Sequence, residues 1–474
     1  MGFKLTIEVP LFLSTVGFML TMSVNSNLLI YRTCYAYLHY NKTECAMLGM
    51  VSNNITEYLE KKVEPYSDYI SLVKNIMDSV LGSILCLFIA PWSDKFGRKP
   101  ILVIGLLGGV LSLGLHILFA ALENLTPWFL LVLSLPVLIT GGSATFMTVL
   151  SAYLTDSTTK EERGFRMGLF DVVMTSAVLI GNTASSYVLA ATSYVMVYCI
   201  AAVCHIIALI FTTLFIAESL HERDTGSKIL GFLNTSNVLE MFKTPFKARV
   251  NSNRKILLLI MLTLWLTEFA MGGASLGFLF LREKFHWTLK QFTWFISGTN
   301  ILGIIGTLFV VYLLHTVLKI KESVLIVMGY MFSVASFILS GAAINDWEIY
   351  LAAVINLPAS GMNALTRSLL SKMVKEDEIA KIFSVISISS SIIDPISSTG
   401  YTALYNATIN TDAGLFNFVS AAIFSVGVVI FSIIVIIQRK SPTVEYTIVP
   451  EESEETHNDQ VNSTIITDDI TVIQ

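Results

Sequence analysis

Long apolar runs separated by short polar segments repeat along the whole chain. Each run covers about 20 residues, the length of helix that crosses the hydrocarbon core of a bilayer. The pattern therefore predicts twelve membrane-spanning helices, numbered spans 1 to 12. Their predicted positions are 7–30, 68–90, 101–121, 127–153, 166–190, 195–217, 256–281, 291–315, 322–341, 347–371, 382–403 and 414–437.

Composition supports a membrane protein surrounded by lipid. Hydrophobic residues make up 54% of the chain and charged residues 14%, with a mean hydropathy of +0.69. Soluble domains are about 25% charged. The net charge of −5 owes much to an acidic C-terminal tail, and nothing in the charge balance indicates a nucleic-acid partner.

The distribution of basic residues predicts the orientation. With the N-terminus inside, the inner segments hold 21 of the 30 Lys and Arg residues, and the outer loops hold seven. Positive charge is enriched on the cytosolic side of membrane proteins. We therefore expect both termini in the cytosol.

The spans divide into two groups of six around the longest inner segment. Residues 1–217 are predicted to form one six-helix bundle, with a glycosylated outer loop at 31–67, and residues 256–437 a second. The basic segment 218–255 is the cytosolic linker, and the polar tail 438–474 has the composition of a disordered segment. This layout is typical of secondary transporters, which bind solute near the midplane between bundles.

The large outer loop carries two kinds of modification signal. Asn41 and Asn54 head Asn-X-Thr sequons, which are acceptors for glycosylation on the outer side. Cys34 and Cys45 share the same oxidising environment and can pair there, although the spacing leaves a pair of free thiols equally open.

The chain lacks the motifs of most other membrane functions. It has no glycine-rich phosphate loop with a lysine, no zinc-ligand spacing and no nucleophile motif. We predict no enzyme activity, no cofactor and no metal site, and we exclude an ATP-driven pump.

Six charged residues fall well inside the predicted spans. They are Lys74, Asp78, Asp171, Glu268, Arg367 and Asp394. Each costs about 3 kcal/mol to insert, so each is a functional candidate. Lys74 and Asp78 are spaced to pair on one helix face, and Arg367 can neutralise one more acid. At least one carboxyl then lacks a basic partner. Such a carboxyl can become neutral by binding a proton, because burial raises a carboxyl pKa.

Structural interpretations of these residues stay open. Asp171 lies about 8 Å along the helix from Arg166 and can be its salt-bridge partner. Arg367 is close enough to the end of span 10 to extend toward the cytosol. Asp394 precedes Pro395, which removes a backbone N–H, so a structural kink is as consistent as a solute contact. Glu268, about 18 Å along span 7, is predicted to line a cavity.

The inner loop after span 2 reads WSDKFGRKP, and span 4 ends in AYLTD. Taken alone, the loop fits a basic turn with one acid, in which Gly97 permits an unusual backbone. Both stretches, however, resemble the signature of the major facilitator superfamily, at the positions where that superfamily carries them. The resemblance implies that Asp94, Gly97, Arg98 and Asp156 form a latch that governs conformational switching.

Within that superfamily, the stretches AYLTDSTTKEERGFRMGLFDVV and TRSLLSKMVKEDEIAKIFS resemble solute carrier family 46, which includes the proton-coupled folate transporter. The resemblance implies that Asp171 stands where the folate carrier has its coupling glutamate. It also implies that Arg367 gates the cytosolic side or attracts an anion. The shorter side chain of Asp171 is a departure from that family pattern.

The tail adds an expectation about location. Tyr446 and Val449 form a tyrosine-X-X-apolar pattern that is similar to the sorting signals read by endocytic and lysosomal adaptors. Such a tail resembles the lysosomal branch of the family, with the plasma membrane as the other possibility.

The sequence thus predicts an all-α membrane protein of the major facilitator fold that carries an organic anion, or a similar small solute, together with protons. Asp171 and Glu268 are the candidates for proton coupling, and Arg367, Asp78 and Asp394 for substrate binding or gating. Two alternatives remain: a folate transporter proper, and a non-transporting receptor or scaffold on a carrier fold.

Overall fold

The computed structural model describes residues 7–48, 54–220, 235–249, 252–375, 378–408 and 412–440. Within these ranges every element of secondary structure is helical, and twelve helices are long and apolar enough to cross a membrane. Spans 1 to 12 are Glu8–Tyr37, Lys62–Phe96, Lys99–Ala121, Phe129–Asp156, Arg163–Ala191, Tyr194–Phe215, Asn253–Ala274, Gln291–Val317, Glu322–Ala342, Asp346–Lys372, Ile379–Thr408 and Leu415–Lys440. The predicted fold class is confirmed.

Several spans are interrupted or extended. Span 2 continues a helix that begins at Asn54, and span 4 consists of Phe129–Ile139 and Gly142–Asp156. Gly141 has a φ of 103° at that break, and a Cβ there would collide with Ile89 and Thr145, so glycine is required. Span 7 ends in the tight turn Gly272–Leu276, and Gly277–Phe285 follows it.

Two spans end in wider helical turns, and one is built from three segments. Spans 1 and 8 end in the wider turns Thr33–Tyr37 and Leu308–Val317, and span 10 comprises Asp346–Ile355, Leu357–Ala359 and Met362–Lys372. Outside the spans lie Lys42–Cys45, the linker helix Thr235–Lys243 and the turn Thr244–Phe246.

Side-chain caps start three of the spans. Ser193 accepts from the Met196 N–H, and Thr288 and Asn345 each form a reciprocal capping box with the residue three positions on. These caps satisfy backbone donors that the first helical turn leaves free. They fix where spans 6, 8 and 10 begin.

The helices pack as two six-helix halves. In the first half span 1 packs on spans 5 and 6, and span 3 on span 6; in the second, span 12 packs on spans 7 and 9. The halves meet through spans 2, 4 and 5 on one side and spans 8, 10 and 11 on the other. These six spans therefore carry any site that lies between the halves.

The apolar core differs between the two ends of the molecule. We call them the linker end, where Thr235–Lys243 lies, and the disulfide end, where Cys34 and Cys45 lie. At the linker end a single buried cluster contains residues of both halves, such as Val149 and Phe383. At the disulfide end each half has its own cluster. The halves are thus joined at the linker end and separate toward the disulfide end.

Candidate functional site

The predicted latch residues meet at the linker end of the first half. Arg98 Nη1 lies 2.5 Å from Asp94 Oδ1 and 2.9 Å from Ser93 Oγ, and Arg98 Nε donates to Asp156 Oδ2 at 3.0 Å. Arg98 is fully buried. A guanidinium with two carboxylates around it is a connected charge cluster, and removal of one member leaves the others buried and uncompensated.

Glu218 extends this cluster into the linker, and the sequence did not identify it. Its carboxylate accepts from the backbone N–H of Arg98 at 2.8 Å. Gly97 has a φ of 122°, and a Cβ on it would collide with the Glu218 carboxylate. Glycine at 97 therefore serves both the left-handed backbone and the close approach of the first residues of the linker.

Asp171 pairs with Arg367 across the two halves. The Arg367 guanidinium donates to Asp171 Oδ1, and the two side chains are 26% and 18% exposed, respectively. The guanidinium also lies 5.5 Å from the centre of the Phe170 ring. Arg166, the other partner considered for Asp171, instead binds Glu8 Oε1 at 3.0 Å. The pair thus joins span 5 to span 10.

Other polar contacts between the halves lie on the same side of the molecule. Thr148 and Ser387 share a hydrogen bond of 2.9 Å, and Arg163 Nη1 donates to Ser371 Oγ at 3.4 Å. Gly164 approaches the His315 ring so closely that a Cβ would not fit. All of these residues lie toward the linker end, which agrees with the shared apolar cluster there.

Two intramembrane acids have no basic partner among the residues that the structure describes. The Glu268 carboxyl lies near the Ser390 hydroxyl and close enough to Asp394 to interact with its charge. Both acids are exposed, and Asp394 stands before the proline inside the span 11 helix. Two neighbouring carboxyls repel each other while both are ionised, and a proton on either one removes the repulsion.

Lys74 and Asp78 behave as their spacing predicts. The Lys74 ammonium lies 2.6 Å from Asp78 Oδ2 within a single helix of the first half. This pair does not cross between the halves.

A second charge cluster occupies the linker end of the second half. Glu322 Oε1 accepts from Ser368 Oγ at 2.6 Å and from Lys372 Nζ at 2.9 Å, and His315 Nε2 lies 3.6 Å away. Glu322 is buried. The loop after span 8 reads HTVLKIKES and does not repeat the pattern found after span 2, but a buried acid paired with a base lies there as well.

A third cluster connects the linker to span 11. Lys381 Nζ donates to Glu240 Oε1 at 3.1 Å, Lys247 Nζ to Glu378 Oε1 at 3.0 Å, and Arg249 Nη1 lies 2.8 Å from Glu378 Oε2. Burial alone would raise the pKa of the Glu378 carboxyl, but the hydrogen bond from Lys247 and the charge of Arg249 outweigh it and lower that pKa. The carboxylate is therefore held in its charged form.

The features of the disulfide end are simpler. Cys34 and Cys45 form a disulfide with a Cα–Cα distance of 5.7 Å. Asn41 is exposed and caps the short helix that leads to Cys45. Asn54 begins the helix of span 2. Tyr446 and Val449 lie outside the described residues, and within those residues no group of His, Cys, Asp and Glu is arranged to hold a metal ion.

Comparison with known proteins identifies the class. A family model described as Major Facilitator Superfamily matches residues 11–398. The chain belongs to the major facilitator superfamily, a superfamily of transporters.

Among solved structures, the human organic anion transporter MFSD10 has a TM-score of 0.66 and 15% identity, covering 90% of this chain and 97% of that chain. The fucose:proton symporter of E. coli has a TM-score of 0.64 and 12% identity, with the same coverage. At these identities the likeness shows the fold alone.

The more particular assignment comes from curated relatives. A probable peptidoglycan muropeptide transporter of solute carrier family 46 from Drosophila melanogaster is 29% identical over 86% of this chain and 81% of its own length. The lysosomal proton-coupled steroid conjugate and bile acid symporter of Gallus gallus is 25% identical over 78% of this chain and 80% of its own. These relatives agree with the predicted resemblance to solute carrier family 46.

Proposed function

We propose that this protein is a proton-coupled transporter that carries an anionic organic solute across the membrane by alternating access. The linker and both termini lie in the cytosol in this proposal, because the excess of Lys and Arg is on the linker side. The described conformation then has its cleft open away from the cytosol and closed toward it.

The ion pair between Asp171 and Arg367 is the observation that carries the proposal. It joins the halves on the side where they are closed. A proton that binds Asp171 removes the negative charge that holds the guanidinium, so the closed contact weakens. The same event leaves Arg367 available to the acidic group of a solute. Proton and anion thereby favour the same conformational change, which is what coupled transport requires.

Glu268 and Asp394 are the natural first acceptors of the proton. Glu268 lies about 22 Å along its helix from Asn253, and Asp171 about 12 Å along its helix from Arg163. Both helices begin at the linker end, so the Glu268 carboxyl is nearer to the opening of the cleft. A proton that enters from the disulfide end meets this acid pair before it reaches Asp171.

The solute class follows from the cationic group and from the relatives. Arg367 pairs with an acid of the other half, whereas Arg163, another base that reaches across the halves, donates to a serine hydroxyl and to a backbone carbonyl. Muropeptides, steroid conjugates and bile acids, the solutes named for the two family relatives, include compounds with acidic groups. The rat proton-coupled folate transporter is 20% identical over 85% of both chains, which keeps folate as a narrower alternative.

The remaining candidate residues belong to the first half. Asp94, Gly97, Arg98 and Asp156 act as a latch on conformational switching and do not touch the solute. Asp78 neutralises the charge of Lys74 within span 2.

The outer loop and the tail carry modification and sorting sites in this proposal. Asn41 and Asn54 carry glycans. Tyr446 and Val449 bind sorting adaptors that deliver the protein to lysosomes. Residues 1–217 and 256–437 are the two moving bodies.

The test is acid-stimulated uptake in cells. Tyr446→Ala is expected to move the protein from lysosomes to the plasma membrane, where uptake of labelled bile acids, steroid sulfates, muropeptides and folates can be compared in acidic and neutral media. We expect saturable uptake of at least one anion in acid. Arg367→Ala, matched for surface expression, is expected to abolish it.

A receptor or scaffold on the same fold gives the opposite result. Such a protein reaches the surface and binds a ligand, but labelled solute does not accumulate above the level of cells that lack the protein. Unchanged distribution of the Tyr446→Ala variant by microscopy would remove the sorting assignment without affecting the transport proposal.

A further inference from the structure

The linker helix has one face packed against the spans. Met241 is completely buried in the shared apolar cluster, together with Ile216 at the end of span 6 and Ile256 at the start of span 7. Thr244 and Pro245 are buried in the following turn. The linker helix therefore lies at the level at which the spans leave the membrane.

Ion pairs hold the same helix to the second half. Glu240 accepts from Lys381 at the beginning of span 11, and Lys247 bridges Glu240 and Glu378. The helix also packs against span 2 of the first half. Its position is thus fixed by contacts with both halves.

The other face of this segment is apolar and bare. Leu239, Phe242 and Phe246 are 56%, 46% and 59% exposed. Transfer of an apolar side chain out of water is favourable by about 25 cal/mol of free energy for every Å² of apolar surface removed. Three large apolar side chains that are exposed within eight positions of the chain mark an interaction surface.

Free basic groups accompany the apolar face. Lys243, Arg254 and Lys255 are exposed, and within the described part of the chain none of them forms an ion pair. Arg254 and Lys255 begin span 7, which packs against the turn that follows the linker helix. Aromatic side chains with basic residues beside them are the composition of helices that lie in a membrane interface.

We propose that Leu239, Phe242 and Phe246 insert into the membrane leaflet at the linker end, and that Lys243, Arg254 and Lys255 bind the head groups of anionic lipids there. The partner is lipid rather than another protein because the turn that carries Phe246 packs against the beginning of membrane span 7, and because the free charges of this surface are all positive. A basic residue near an anionic membrane surface contributes about 1 kcal/mol.

The face opposite the lipid carries Met241 and Glu240, which contact spans of both halves. Anionic lipid therefore holds the linker helix against the closed linker end.

The experiment uses the full chain in vesicles. Phe242→Cys is labelled with bimane and reconstituted in phosphatidylcholine that contains either brominated phosphatidylcholine or brominated phosphatidylserine. Glu161→Cys, exposed in the loop after span 4, is the matched control on the same side. Wild-type protein labelled in parallel gives the background from Cys86, Cys199 and Cys204.

We expect bromolipid to quench the probe at 242 several times more strongly than the probe at 161, and brominated phosphatidylserine to quench it more than brominated phosphatidylcholine. Changing Lys243, Arg254 and Lys255 to glutamine should remove that preference. Each of the three side chains is expected to contribute about a fivefold preference for the anionic lipid.

Three results would overturn the proposal. Equal quenching at positions 242 and 161 places the apolar face outside the lipid. Equal quenching by the two bromolipids removes the anionic selectivity. A preference that survives in the triple glutamine variant removes the role of the three basic residues.

Discussion

Asp171→Asn is the substitution that separates the parts of the proposed coupling mechanism. Asparagine keeps the shape of the side chain and an oxygen that can accept from Arg367, but it has no charge and cannot release a proton. It therefore resembles the protonated form permanently. Net uptake driven by external acid should collapse. Exchange of labelled for unlabelled solute should survive, because exchange never requires the site to release its proton.

The size of the effect follows from the surroundings of the pair. Exposed ion pairs contribute about 0.2–1 kcal/mol, and loss of one partner from a fully buried pair costs about 3–5 kcal/mol. The side chains of Arg367 and Asp171 are 26% and 18% exposed, so an intermediate value of about 2 kcal/mol is appropriate. That value moves the balance between the two conformations about 30-fold away from the state closed at the linker end.

The assay measures both modes in the same vesicles, one with an imposed proton gradient and one without. Asp78→Asn is the matched control, because its partner Lys74 lies on the same helix and the pair does not join the halves. The control should retain both modes. Asp171→Glu should retain part of the coupled uptake, since a carboxyl is still present.

Equal loss of exchange and net uptake in Asp171→Asn would refute this reasoning. In that case the carboxylate is needed in every conformation, and the pair with Arg367 is a structural contact rather than a proton-dependent one. Normal acid-driven uptake in the variant would refute it equally, because a carrier that never loses its proton cannot be driven by a gradient.

Three further predictions concern the other charge clusters. Glu268→Gln should shift the acid dependence of uptake while leaving exchange intact, measured as uptake against external pH; an unchanged profile would remove the acid pair of Glu268 and Asp394 from the proton route. Arg98→Ala should slow turnover severalfold with little change in the solute concentration for half-maximal uptake, and a large loss of affinity at normal turnover would contradict the latch assignment. The pKa of Glu378 is lowered from 4.5. Its ion pairs with Lys247 and Arg249 are therefore fully present above pH 4.5 and are lost only as the pH falls below that value. Cross-linking between cysteines placed next to Lys247 in the linker and at the start of span 11 should therefore be the same in neutral and mildly acidic buffer, and a loss on mild acidification would show that the carboxyl titrates higher.

The spans were predictable because their signal is local. An apolar run of sufficient length becomes a helix in the membrane whatever it packs against. The pair of Lys74 and Asp78 was predictable for the same reason, since residues four apart share a helix face. Gly97 could be identified as a turn residue, but its second role, making room for Glu218, depends on a segment about 120 positions away.

The partner of Asp171 was not determined by the sequence. Arg166 and Arg367 were both available, and the choice depends on how span 5 faces span 10 when the halves close. Glu8, Glu240 and Glu322 were missed for another reason. Glu8 and Glu322 stand at span ends and Glu240 stands in the linker helix, positions where a charge usually has access to water, so the sequence does not mark them as charges deep in a span.

The first residues of the linker bind the first half, and the linker helix forms its ion pairs with the second half. Glu218 binds the backbone beside Gly97, and Glu240 binds Lys381 of span 11. Between these residues the extended chain reaches more than about 60 Å, so the covalent connection itself exerts no pull on the halves in any conformation. We therefore expect the protein to tolerate division into two polypeptides. A first chain that keeps Glu218 and a second that keeps Glu240, produced together in one cell, should assemble through the contacts between the halves and transport without a continuous backbone.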